Sequence, residues 1–104
     1  MIHELKGRFD LAIGCYKEEV RLLSMVDQDS VELSNTLFRM GCAYSENHEP
    51  EDAVNCIENC LKIRKAIFGE DHSEVLETLD RLEMFRIDLD KRQKAIESWK
   101  STAI

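Results

Sequence analysis

Apolar residues return along this chain at every third or fourth position, the spacing that lines one face of an α-helix. From Arg8 to about Met25 that face is Phe9, Ala12, Ile13, Tyr16, Val20 and Leu23. Met1 to Lys6 reads as the end of a preceding helix, with Gly7-Arg8-Phe9-Asp10 as the break between the two. Val26-Asp27-Gln28-Asp29 is a polar turn, and Asp29 with Glu32 forms a capping pair for the next helix. That helix carries Leu37, Met40-Gly41 and Tyr44 and reaches Ser45 or Glu46. Asn47-His48-Glu49 turns the chain, and Pro50 brings the fixed φ that suits a first helical residue. Glu51 and Asp52 complement the positive end of the helix dipole. The helix so opened turns Ala53, Ile57 and Cys60-Leu61 inward and runs to about Phe68, where Gly69 stops it. Asp71 and Glu74 repeat the capping pair, and Val75, Leu79, Leu82 and Phe85 line a helix to about Leu89. A last helix, Lys91 to Thr102, has Ala95, Ile96 and Trp99 as its inner face. The expected fold is all-α, with about five antiparallel helices.

The pattern repeats. Forty-two positions on, Asp29 returns as Asp71, Glu32 as Glu74, Leu37 as Leu79, Ala53 as Ala95, Val54 as Ile96 and Ile57 as Trp99. Forty-one positions back, Ala53-Val54 becomes Ala12-Ile13, Ile57 becomes Tyr16, Leu61 becomes Val20 and Ile63 becomes Leu22. A fixed period of this length is the mark of a solenoid, in which each unit buries its face only against its neighbours. The stretch from Asp29 to Asp71 resembles one complete tetratricopeptide repeat. Its first half has a large apolar residue, then apolar-Gly, then an aromatic; its second half has Ala followed by a large and a small residue. The long period, with Leu61-Lys62-Ile63-Arg64 and Phe68-Gly69-Glu70-Asp71-His72, resembles the variety found in kinesin light chains, which usually have proline where Ser73 stands. The resemblance implies a single domain over 1–104 forming a right-handed superhelical stack. Residues 1–28 would be a partial repeat, 29–70 a complete one and 71–104 a degenerate one. Glu83 stands in place of Gly41 and Arg86 in place of Tyr44, so the fourth and fifth helices are expected to splay. The first repeat lacks its first helix. The chain therefore reads as a fragment of a longer array, or as one end of an assembly that borrows a neighbour's helix.

Composition narrows the classes. With 104 residues, 43% apolar, four glycines and one proline, the chain suits one packed helical domain rather than a β fold. No apolar run approaches the ~18 residues needed to cross a bilayer, and no secretory leader pattern is visible. A cytoplasmic protein is expected, with its four cysteines as thiols rather than a disulfide framework. The net charge of −7 argues against nucleic acid and anionic membranes as partners.

Little in the chain carries catalytic chemistry. Cys56 and Cys60 are one helical turn apart with His48 nearby, a spacing that two metal ligands could use. The packing reading is stronger: Cys60 fills a small-residue slot, Cys15 and Cys56 share one slot in successive repeats, and Cys42 follows the packing glycine. His3 and His72 lie at a frayed start and beside a capping aspartate. No zinc-protease helix, nucleophile elbow or phosphate-binding glycine loop is present, so no enzyme, cofactor or metal site is expected. Carboxylate pairs such as Glu18-Glu19 and Asp88/Asp90 fit solvated helix faces.

What remains is surface recognition. In proteins this chain resembles, the first helix of each repeat lines a concave groove that holds a peptide. Carried over, the groove positions are Asn35, Phe38, Arg39, Cys42, Ser45 and Glu46, then Glu77, Asp80, Arg81, Met84, Ile87 and Asp88. The family's carboxylate-clamping pocket would find only Asn35, Arg39 and Arg81 here, with Asp80 opposed. The kinesin light chain groove is basic and receives acidic peptides; this one is more acidic. It suits a basic or mixed-charge protein or peptide with an apolar anchor on Phe38, Met84 or Ile87. The implied function is a non-catalytic scaffold or adaptor module. The alternatives are a spacer, or a fragment that self-associates through its incomplete first repeat.

Overall fold

The structure, a computed structural model, describes residues 2–102, with side chains over 8–98. Four helices account for it: α1 (Ile2–Val26), α2 (Val31–Glu46), α3 (Pro50–Phe68) and α4 (Ser73–Thr102). Among the described residues there is no strand, and no helix is long and apolar enough to cross a membrane. Each helix packs on the next in sequence, most extensively α2 on α3. Short polar turns force that neighbour-to-neighbour order, because a turn of three or four residues returns the chain antiparallel beside the helix it has left.

The core runs through the middle of this layer. Leu33, Leu37, Met40 and Tyr44 of α2 meet Ala53, Val54, Cys56, Ile57, Cys60 and Ile63 of α3, with Ile13 on one side and Leu82 and Phe85 on the other. Phe9, Ala12, Tyr16, Val20 and Leu23 are half-buried, so the expected inner face of α1 is the observed one. Gly41 is what brings α2 and α3 together. A Cβ there would stand 2.7 Å from Ile57 Cδ1, 2.9 Å from Ile57 Cγ1 and 3.3 Å from the Ala53 carbonyl oxygen. Ile57 is fully buried in that contact, which is worth roughly 1.5–3 kcal/mol for a side chain of its size.

The ends of the helices agree with the sequence at two points and differ at others. Pro50 opens α3, and Gly69 closes it at φ 85°, donating its N–H to the Lys65 carbonyl at 3.0 Å. The residue that caps α2, however, is Ser30 rather than Asp29: its hydroxyl accepts the Leu33 N–H at 3.1 Å. Asp29 instead donates its own N–H to the Asp27 carboxylate. At α4 the expected pair of Asp71 and Glu74 gives way to His72. Its carbonyl accepts from Val75 and Leu76, its Nδ1 accepts the Glu74 N–H at 3.1 Å, and its ring stacks on Phe68. A serine or histidine adjacent to helical backbone reaches these donors directly, while the aspartates lie one residue too far out.

The larger correction concerns the fifth helix. The chain does not turn near Leu89; α4 runs unbroken to Thr102. The α2–α3 turn depends on His48 at φ 61° and on Pro50. Forty-two positions on, those places hold Asp90 and Arg92: neither has the fixed φ of proline, arginine is a good helix former, and Lys94 pairs with Asp90 at 3.2 Å along the helix. Glu83 in place of Gly41 also removes the close approach that would reward a returning helix. Ala95 and Ile96 are consequently exposed, as is Leu79, and the Trp99 side chain lies outside the described residues. Gly7-Arg8-Phe9-Asp10 does not break α1 either; its backbone is helical through that stretch, and Phe9 stands where the α2–α3 turn has Pro50. Arg92 holds the continued α4 against the turn it failed to copy, donating to the His48 carbonyl at 2.9 Å.

Gly41→Ala should cost about 1–3 kcal/mol in urea unfolding, because the Ile57 side chain it meets has no free space to enter. Ile57→Val removes the nearest atom, so the double variant should lose less than the sum of the two single losses. Strict additivity would show that the two residues do not compete for one space.

Candidate functional site

Two lines of side chains face one another across α3. On α2 they are Asn35, Phe38, Cys42 and Ser45; on α4 they are Glu77, Arg81, Met84 and Asp88. Alternating spacings of three and four place each set on one helix face. Three observations fix their register. The Arg81 guanidinium lies 5.8 Å from the Phe38 ring centroid. Cys42 feels the charges of Arg81, Glu46 and Glu77. Ser45 and Asp88 line one cleft of about 300 Å³ with His48, Pro50 and Arg92.

The floor of this groove is a charge that the sequence reading did not single out. Arg64, on α3, is 5% exposed. Its Nη1 donates to Thr78 Oγ1 at 2.7 Å, its Nη2 to Asn35 Oδ1 at 3.0 Å, and its Nε lies 3.7 Å from Glu74 Oε2 as an ion pair rather than a hydrogen bond. The guanidinium also sits 4.8 Å from the Phe38 centroid, so that ring contacts two cations. Thr78 is fully buried and its hydroxyl donates a hydrogen bond to the Glu74 carbonyl at 2.6 Å. Arg64 thus joins α2 to α4 through α3. The signal for it was present: an arginine one turn beyond Cys60, on the inward side of an otherwise apolar helix face.

The predicted groove residues divide accordingly. Asn35, Phe38, Cys42 and Ser45 come together with Glu77, Arg81 and Met84. Asn35 is already engaged with Arg64, and Met84 is exposed. Arg39 and Glu46 are exposed at the edge of the α2 line. Asp80 and Ile87 belong elsewhere: with Leu79, Glu83, Arg86 and Asp90 they line a hollow of about 430 Å³ on the outer side of α4. There Arg86, expected to disturb the packing, reaches back to Glu58 at 3.5 Å.

The cysteines separate by environment. Cys60 is fully buried and donates to the Ser34 carbonyl at 3.2 Å. Burial pushes its thiol up to about 11, against the opposing pull of the Arg64 charge. Burial, aided by the Asp52 charge, pushes Cys56 up to about 12. Cys42, half-buried in the groove, is raised chiefly by burial, with Arg81 opposing and Glu46 and Glu77 adding. Cys15 is exposed, so it does not share the packed environment of Cys56. Among the described residues no group of three or more His, Cys, Asp or Glu side chains is placed to hold a metal ion.

No protein-family model matches the chain, and no curated protein matches it.

Thiol labelling at pH 8 should modify Cys15 first, Cys42 more slowly, and Cys56 and Cys60 only on unfolding, since thiolate is the reacting form. The two buried thiols stay protonated in the folded chain above the pH where an unfolded thiol ionises, near 9. Their contribution to stability is therefore complete below pH 9 and lost as pH rises through 11 to 12. Rapid labelling of Cys56 or Cys60 in the folded protein at pH 8 would contradict the burial described.

Proposed function

We propose that this chain is a non-catalytic interaction module that receives a peptide or partner segment in the groove between α2 and α4. The observation that carries the reading is Phe38: a half-buried aromatic ring whose centroid lies 4.8 Å from the Arg64 guanidinium and 5.8 Å from that of Arg81. Aromatic and arginine side chains on a firm floor are the groups that most often dominate protein interfaces. Met84 adds an exposed apolar contact one turn from Arg81, while Glu46, Glu77 and Asp88 make the rim acidic.

This chemistry suits a segment of basic or mixed charge with one apolar anchor. The anchor rests on Phe38 and Met84; basic side chains meet the acidic rim; an acidic group in the segment pairs with Arg81. Ile87 and Asp80 are outside this contact. The reading agrees with the resemblance to tetratricopeptide repeats, in which α2 and α4 would be groove-lining helices and the chain part of a solenoid acting as scaffold or adaptor in the cytoplasm. In that arrangement α1 and α3 form the outer layer, and the degenerate third repeat contributes only its first helix and a helical extension.

The test is a selection from a random peptide library on the wild type beside Glu77→Lys and Arg81→Glu, both of which alter exposed or half-exposed side chains. Peptides carrying an aromatic or aliphatic anchor flanked by basic residues should be enriched, with binding that weakens as salt rises. Glu77→Lys should weaken them about tenfold, the effect of one favourable charge contact becoming an unfavourable one. Enrichment that both variants retain would place the binding surface outside this groove.

A further inference from the structure

The face of α1 turned away from α2 carries large apolar side chains in the open. Leu11 is 73% exposed, Leu22 51% and Met25 75%, and Cys15 is exposed between them. With Glu18 these residues recur at spacings of four, three, four and three, the seam of a two-helix coiled coil. From Leu11 to Met25 the seam is ~20 Å long at ~1.5 Å per residue. Large apolar side chains lined up on the solvent side of a helix that already buries its other apolar face mark a contact surface.

Charge and size indicate what covers it. The chain carries −7, so most of its surfaces repel a second copy. On α1, Arg8, Lys17 and Arg21 balance Asp10, Glu18 and Glu19. The outer side of α4 also exposes Leu79 and Ile87, but among Asp80, Glu83 and Asp90, with the cation there, Arg86, paired to Glu58. Two copies can approach through α1 without that penalty. At the middle of the seam, Glu18 is ion-paired to Arg21 of its own helix. Two such pairs brought together about a two-fold axis at Glu18 close into a ring of two carboxylates and two guanidiniums.

Side-chain volume selects the direction. A Cβ on Gly14 would meet nothing within 4 Å, and Cys15 beside it is small. In an antiparallel pair centred on Glu18, these small residues are level with Leu22 and Arg21 of the other copy, and Leu11 is level with Met25. A parallel pair sets small against small and large against large, leaving a gap at Gly14. We propose that the outer face of α1 binds a second copy of this chain, forming an antiparallel, two-fold α1–α1 dimer.

Sedimentation velocity across a wide concentration range, on wild type and Leu22→Glu, tests this directly. Leu22 lies outside the core, so the variant should keep its helical circular dichroism while its dimer dissociation constant rises at least about tenfold, as expected for a charge placed in an apolar seam. Direction is read from Leu22→Cys treated with diamide, a two-electron thiol oxidant. The expected product is a covalent dimer linking Cys15 of one copy to the introduced thiol of the other. A wild type that stays monomeric throughout overturns the proposal and leaves the seam to a different helix. Unchanged dimerisation of Leu22→Glu, or a dominant Cys15–Cys15 link, overturns the surface or the direction assigned.

Discussion

A cation removed from water needs partners, and Arg64 finds them on two other helices, with only its Nε left without a hydrogen bond beside the Glu74 carboxylate. Asn35 on α2 and Thr78 on α4 accept its protons, Glu74 balances its charge, and the Phe38 ring covers one face. The energetic balance matters here. Hydrogen bonds to a charged group contribute about 1.5–3 kcal/mol each, while desolvating the guanidinium costs several kcal/mol. The two nearly offset, so Arg64 adds little net stability for the number of contacts it makes. What it does contribute is position. Its planar fork accepts only a narrow range of separations between Asn35 and Thr78, and that separation is the width of the groove.

The remainder of the layer follows from contacts of a different kind. α2 and α3 are joined by shape, with Gly41 admitting Ile57, and α1 is joined to α2 by the apolar line ending at Ile13. α4 is joined to α3 by apolar side chains in its first half and by polar contacts. Its buried residues among those described, Val75, Thr78, Leu82 and Phe85, all lie in its first half, and beyond Leu89 Arg92 ties it to the α2–α3 turn. The seating of α4 therefore rests on polar contacts, from Arg64 and Arg92, as well as on that apolar half. That helix also supplies one wall of the proposed binding groove, so partner binding and the seating of α4 are expected to be coupled.

Much of this was legible in the sequence, because apolar periodicity and glycine and proline punctuation act locally. Pro50, Gly69 and the inner face of α1 are where the pattern puts them, and the role of Gly41 follows from a small residue at a helix crossing. What misled was the repeat itself. Ala95, Ile96 and Trp99 copy the apolar pattern of α3, but the turn that must precede them is not copied: Asp90 and Arg92 replace a left-handed residue and a proline. An apolar face specifies a partner only after the backbone has been turned to meet one. The groove was half legible for a related reason. Spacing from the repeat puts Asp80 and Ile87 near Arg81, yet a helix turns 100° per residue, and they fall on the far side of α4. Arg64 is legible only in its position, one turn beyond Cys60 on the inward side of α3; what satisfies its charge comes from α2 and α4, which local pattern does not bring together.

Amide hydrogen exchange on Arg64→Met tests the account at its centre, since methionine keeps the length and apolar stem of the side chain and removes only the charged fork. If Arg64 seats α4 and sets the groove, amides from Val75 to Phe85 should exchange at least about tenfold faster, while those of α2 from Leu37 to Tyr44 and of the facing part of α3 change little. Equal loss of protection in α2, α3 and α4, or no loss in α4, would contradict it and leave the groove's width to apolar packing alone.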